Sequence, residues 1–255
     1  NGSPSSDAAL TAAAFMHRKY NAHVTALMAA QSRLDLLDLP WLPEVIRDTV
    51  VDLDRDHAQA VEKQFREYCK GRIASDKTHW IARLSASDAA VIEYAHMYDL
   101  TIVGRGDSVA GEKRLELHPD RIALKSGRPV LVVPQGWSQD LFTEHALLAW
   151  DGNRSATRAL ADAMQILETK QLVTVLSVAG RGLGRELEGI NVETVLSRHG
   201  IETDRVVLEA GNKDIGEILI EECLSRKVGL LLMGAYEHSK FREDLIGGVT
   251  NDVLR

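Results

Sequence analysis

Near its end the chain runs Leu230-Leu231-Leu232-Met233 into Gly234, then through Ala235-Tyr236-Glu237-His238-Ser239-Lys240 to the pair Gly247-Gly248, followed by Val249-Thr250. An apolar run of strand length thus ends at one glycine, crosses a polar loop, and meets a glycine pair opening a helix. Glycine lets other atoms approach the backbone closely, and the first turn of a helix offers N–H groups without intrahelical partners. A strand, glycine loop and helix start in this order can wrap phosphate groups. Glu237 brings a carboxylate toward such a phosphate, where like charges repel. His238, Ser239, Lys240 and Arg242 supply compensating donors. The same residues would also suit a solvated surface loop, and the glycines would also suit an ordinary turn.

Other candidate constellations fail on chemistry. The stretch from Gly106 to Glu112 approaches a P-loop, but Glu112 stands where a lysine must reach phosphate. Gly180-Arg181-Gly182-Leu183-Gly184-Arg185 mimics a dinucleotide fingerprint, with Arg185 in place of its last glycine. No GxSxG elbow offers a serine nucleophile, and the histidines show neither HxxxH nor HExxH spacing for a metal. The acids Asp35 and Asp38, and Asp52, Asp54 and Asp56, spread along a loop or around a helix and read as solvated surface. No catalytic residues and no metal ligands are assigned. A loop that only cradles phosphate binds; hydrolysis would also need a positioned water and charge stabilisation.

Composition narrows the class. The 255 residues are 45% hydrophobic and 26% charged, ordinary for a globular protein of one large or two smaller domains. A net charge of −7 argues against nucleic acid as the main partner. No run approaches a membrane span, and residues 1–6 lack the basic flank and apolar core of a secretory leader. Cys69 and Cys223, far apart and without CxxC spacing, read as reduced structural thiols of a cytoplasmic protein.

The elements that must carry the loop occur twice. Gly2-Ser3-Pro4-Ser5-Ser6-Asp7-Ala8-Ala9-Leu10 aligns with Gly152-Asn153-Arg154-Ser155-Ala156-Thr157-Arg158-Ala159-Leu160, placing Asn1 where Asp151 stands. Asp99-Leu100-Thr101-Ile102-Val103-Gly104 aligns with Gly229-Leu230-Leu231-Leu232-Met233-Gly234. Short apolar runs alternate with helical patterns in both copies, the signature of a parallel sheet covered by helices. In the first copy the periodicity predicts helices over 6–20, 48–73 and 87–98, and strands over 23–30, 79–84 and 100–103, with a buried strand over 130–133. Residues 136–144 read as a linker. The second copy reads as strands over 145–150, 172–178, 203–208 and 229–233, helices over 154–168, 185–198 and 214–226, and a last helix from about Val249. The domains are therefore 1–136 and 145–255. Copy two has a strand before Asp151 with no counterpart before Asn1, and copy one ends in a strand that copy two lacks, so the sequence reads as part of a longer chain.

These residues resemble a tandem universal stress protein. The family's loop, G-2x-G-9x-G-(S/T), corresponds to Gly234, Glu237 at the second glycine, and Gly247-Gly248. Lys125-Ser126-Gly127-Arg128-Pro129-Val130-Leu131-Val132-Val133-Pro134 and Met233-Gly234-Ala235-Tyr236-Glu237-His238-Ser239 are further points of likeness. The resemblance implies an α/β fold: two tandem copies of an open, parallel five-stranded sheet with helices on both faces, Rossmann-like and of the adenine-nucleotide alpha-hydrolase type. It implies that the two copies pair within the chain and that some members bind ATP with magnesium. It places Asp151 at the adenosine portion and Gly234 under the phosphates, with Gly247, Gly248 and Val249 supplying backbone N–H groups; Gly152, Met233, His238 and Ser239 complete the candidate nucleotide-binding residues. Asp151 could equally cap the following helix. Gly248 departs from the family's hydroxyl residue. Asn1 and the loop from Gly104 to Lys113 leave copy one without the pattern, and its expected role is packing.

The function so implied is a cytoplasmic, non-catalytic stress-response module that binds adenine nucleotide in its second domain, with no nucleic acid or membrane partner. Homodimers could form through an edge strand or the 130–133 region. The alternatives are a slow ATPase or adenylating enzyme on the same fold, and a purely structural dimerisation scaffold.

Overall fold

The computed structural model describes residues 2–37, 41–84, 87–105, 117–179 and 188–235. The chain divides into two units, Asn1–Gln139 and Asp140–Arg255. In the first, Ser3 is the N-cap of α1 (Pro4–Tyr20): its Oγ accepts from Ser6 N–H at 3.3 Å, and Pro4 brings a preset φ to the first turn. Asn21, in the left-handed region at φ 54°, closes the helix. The chain continues through β1 (Val24–Ala30), α2 (Arg33–Leu37), α3 (Glu44–Cys69), β2 (Thr78–Leu84), α4 (Ser87–Ala95), β3 (Thr101–Arg105), α5 (Pro119–Ser126) and β4 (Val130–Pro134).

Strands β1 and β2 pair in parallel with Val24 opposite Thr78, and β3 and β4 pair in parallel with Thr101 opposite Val130. Side chains alternate across a strand, so β1 serves two cores. Val24, Met28 and Ala30 meet α3 residues Ala58, Val61, Phe65 and Cys69 on one face. Ala29 joins Ala90 and Val91 of α4, Val103 of β3 and Ile122 of α5 on the other. The expectation of a wholly buried strand over 130–133 is corrected: of β4 only Val133 is buried. Short α2 and α5 were not foreseen.

The second unit contains β5 (His145–Ala149), α6 (Arg154–Leu167), β6 (Leu172–Ala179), α7 (Val192–Arg198), β7 (Thr203–Glu209), α8 (Ile215–Ser225) and β8 (Leu230–Leu232). Its four strands form one parallel sheet in the order β7-β6-β5-β8. Ala146 and Leu148 of β5 pack with Leu160, Ala163 and Leu167 of α6 and Leu196 of α7. Leu147 faces the other way, toward Leu219 of α8. Helices therefore cover both faces of a continuous apolar strand. The helix expected over 185–198 is corrected: residues 188–190 form a turn and an isolated bridge, and α7 begins at Val192, where the Asn191 side chain accepts from Thr194 N–H and caps it.

Two expectations need amending. The described residues form sheets of two, two and four strands rather than two five-stranded sheets. In the second unit β5 supplies the shared neighbour of β6 and β8; in the first, β1 and β3 have no such strand between them among the described residues. The second correction concerns Asp54. It is 1% exposed, not solvated. It occupies the α3 face that carries Ala58, Val61, Phe65 and Cys69, and its carboxylate meets the Arg33 guanidinium at 2.5 Å. It also accepts from Arg33 N–H at 3.0 Å and Ser32 Oγ at 3.2 Å, so one buried charge anchors the start of α2.

Replacing Asp54 by alanine strands the Arg33 charge and the α2 amide, and is expected to cost about 3 kcal/mol in chemical denaturation. Asp52→Ala, on the exposed face beside Arg55, is expected to change stability by ~0.5 kcal/mol or less. A second expectation follows from Cys223, whose thiol is pushed up to about 11 by burial and then by the Glu222 carboxylate. The folded state resists forming this thiolate, so its stability is expected to fall as pH rises from the ordinary thiol range toward 11. At pH 8 native Cys223 is expected to react with iodoacetamide far more slowly than in the unfolded chain.

Candidate functional site

In the second unit β5 leads toward β6 on one side, while the return from β7 to β8 crosses to the other. The carboxyl ends of β5 and β8 therefore flank a topological switch point, where open α/β sheets hold ligands in the crevice between diverging connections. Asp151 and Gly152 follow β5; Met233 and Gly234 follow β8. The fold brings these four sequence-assigned residues to one edge. His238, Ser239, Gly247, Gly248 and Val249, together with Glu237, lie outside the described residues.

Hydrogen bonds fix the exit of β5. Trp150 N–H donates to the Leu176 carbonyl at 2.8 Å, and Ser177 Oγ donates to the Trp150 carbonyl at 2.8 Å. Gly152 then takes φ 73°, the left-handed conformation that turns the chain into α6. Asp151 is engaged locally: Oδ1 accepts from Asn153 N–H at 2.9 Å and Oδ2 from Asn153 Nδ2 at 3.1 Å. Asn153 is the α6 N-cap, yet its side chain makes no capping bond and is directed to Asp151 instead. The carboxylate therefore organises the turn. Its remaining lone pairs can still accept further hydrogen bonds.

Gly234 has a structural reason to be glycine. A Cβ built there would lie 2.6 Å from Ser155 Oγ and 2.7 Å from Ala156 N, inside the first turn of α6. Gly104, at the end of β3, has the same environment: a Cβ would lie 1.7 Å from the Ser5 carbonyl oxygen in α1. Gly2 repeats Gly152, at φ 75°. The aligned pairs Gly2/Gly152, Ser5/Ser155 and Gly104/Gly234 thus occupy equivalent geometry. Met233 directs its side chain into the core with Leu147, Leu176 and Leu219, so at the crevice it can contribute only backbone. Ser155 and Asn153 were not singled out in sequence as site-shaping residues. Their signal was the repeated Gly-x-x-Ser spacing.

The corresponding edge of the first unit is chemically different. His118 is the N-cap of α5; its N–H donates to Asp88 Oδ1 at 3.0 Å and its Nδ1–H to Asp88 Oδ2 at 2.8 Å. Arg121 approaches the same carboxylate at 3.7 Å. The negative charge favoured at a helix start is here supplied from within by Asp88. Asn1 and residues 106–116 lie outside the described residues. Among the described residues, no group of three or more His, Cys, Asp or Glu side chains is placed to hold a metal ion. No described helix is long and apolar enough to cross a membrane.

No protein-family model matches the chain, and no curated protein matches it in sequence. Its structure is similar to the crystal structure of a universal stress protein from Archaeoglobus fulgidus DSM 4304, with a TM-score of 0.70 at 18% identity, covering 100% of this chain and 91% of that one. The α/β fold is therefore that of a universal stress protein.

The packing of Gly234 against α6 carries its own expectation. Gly234→Ala forces β8 and α6 apart and should destabilise the protein by about 1–3 kcal/mol in thermal or chemical unfolding, with no nucleotide present. Unchanged stability would mean that the crevice, not the packing, requires glycine.

Proposed function

We propose that the chain is a tandem universal stress protein, a cytoplasmic and non-catalytic stress-response module whose second domain binds Mg-ATP and whose two domains pair within the chain. The reading assigns one such domain to 1–136 and the other to 145–255. The observation that carries it is the switch-point crevice of the second unit, where Asp151 and Gly152 at the end of β5 face the chain that leaves β8 at Gly234. A fold similar over the whole chain to a universal stress protein, and the matched glycine and serine positions of the two units, add support. Asp151 would accept the ribose hydroxyls. The backbone beyond Gly234 and at Gly247-Gly248-Val249 would donate to phosphate, with His238 and Ser239 beside them. In the first unit Asp88 already neutralises the helix start, which argues for one nucleotide per chain.

A scaffold without nucleotide is the second reading, and two observations favour it. Asp151 is satisfied by Asn153, and Gly234 is required by packing, so neither residue needs a ligand to account for it. Such a scaffold could act through protein partners or a homodimer.

Titration calorimetry with Mg-ATP separates the two. The first reading expects one site per chain, weakened about tenfold by Asp151→Asn, which keeps the turn acceptor but removes the charge. It also expects tighter binding for Glu237→Gly, which removes a like charge from the loop. No heat at millimolar nucleotide with parent and Glu237→Gly alike would leave the scaffold. Gly234 variants cannot decide, because they perturb the fold itself.

A further inference from the structure

Two histidines far apart in sequence meet at the amino end of the β1–β2 pair. In that parallel register Thr25 lies opposite His79, and His23 precedes Thr25 by two residues, which puts both imidazoles on the same face. His23 Nδ1 stands 3.3 Å from His79 Nε2. The ring planes are within 9° of parallel, but the centroids are 5.6 Å apart. The nitrogens are therefore much closer than the ring centres, and the rings meet by their nitrogen edges rather than face to face. Both side chains are exposed, and each is based on or beside a hydrogen-bonded strand.

We propose that His23 and His79 form a two-imidazole site for a divalent transition metal such as Zn²⁺. Two imidazole nitrogens bound to one tetrahedral zinc at ~2.0–2.1 Å stand about 3.3–3.4 Å apart, which is the spacing already present. In the metal-free pair one facing nitrogen carries hydrogen and donates to the other. To ligate, that proton moves to the remote nitrogen of the same ring, leaving both facing nitrogens with lone pairs and no net proton released. Small rotations of the two exposed rings then aim both lone pairs at one ion. Imidazole suits zinc, copper and nickel better than magnesium or calcium. Two protein ligands leave the other positions to water or an incoming group, so the site is labile. Two residues before each histidine the two segments are also tied together, where Lys77 Nζ donates to the Asn21 carbonyl at 3.0 Å and to the Asn21 side chain. A bound ion would clip β1 to β2 and stabilise the first unit by mass action.

The test is titration of the full chain with zinc chloride, followed by calorimetry and by NMR of the histidine ring protons. The expected result is one saturable site per chain, with ring signals of His23 and His79 shifting together and thermal unfolding of the first unit moving upward. Either His23→Gln or His79→Gln should weaken binding by about tenfold or more, as loss of one of two anchoring ligands requires. His199→Gln, an exposed histidine paired with Glu168, should leave it unchanged. No saturable binding by the parent chain overturns the proposal, as does undiminished binding by the doubly substituted chain. Ring shifts confined to other histidines overturn it equally.

Discussion

In each unit a strand end meets the first turn of a helix far from it in sequence, and there is no room at that contact for a side chain. Gly234 meets Ser155 and Ala156; Gly104 meets Ser5. In the second unit the contact arises because the first turn of α6, which follows β5, lies beside the end of the neighbouring strand β8. It sets how closely α6 approaches the sheet, and so where Asp151, Gly152 and the chain leaving β8 stand relative to one another. The turn at Gly152, the Asp151–Asn153 hydrogen bonds and the crevice all depend on that approach. A glycine there serves the scaffold first; access for a phosphate is an added consequence of the same missing side chain.

The two units use this shared geometry with different electrostatics. At the start of α5, Asp88 supplies the negative charge, held by the His118 amide and ring and approached by Arg121. A second anion would meet a carboxylate already in place. At the β5 exit of the second unit the acid is Asp151, which lies in the turn that leads into α6 and is held by the N-cap residue Asn153. Its bonds to Asn153, the α6 N-cap, leave lone pairs free, so the edge keeps acceptor capacity. Elsewhere a buried ion pair does structural work: Asp54 and Arg33 join α2 to α3 at the carboxyl end of β1.

The α/β class and most elements were legible in the residues because they depend on local periodicity. Alternating apolar runs and helical spacing set β5, β6 and α6 to within a residue or two. Asp214 stands at a helix start as its type requires and forms a capping box with Glu217, whereas the cap at Asn191 places the start of α7 well after residue 185. The aligned glycines carried the turn geometry in both copies. Boundaries slipped where a local signal was overlooked: α3 starts at Glu44 behind Pro43, not at residue 48, because proline is well suited to a helix entrance.

The sequence by itself determined the alternation of strand and helix and the turn glycines, since each follows from side-chain spacing and backbone freedom within a few residues. Only the tertiary structure decided the strand order of the second unit, and with it which strand ends flank a crevice. It turned Asp54 from an apparent surface acid into a buried anchor, gave Gly234 a packing reason to lack a side chain, and brought His23 beside His79. These depend on which distant segments pair and in what register. That choice is set by the joint burial of faces from many elements, which no local window of sequence contains.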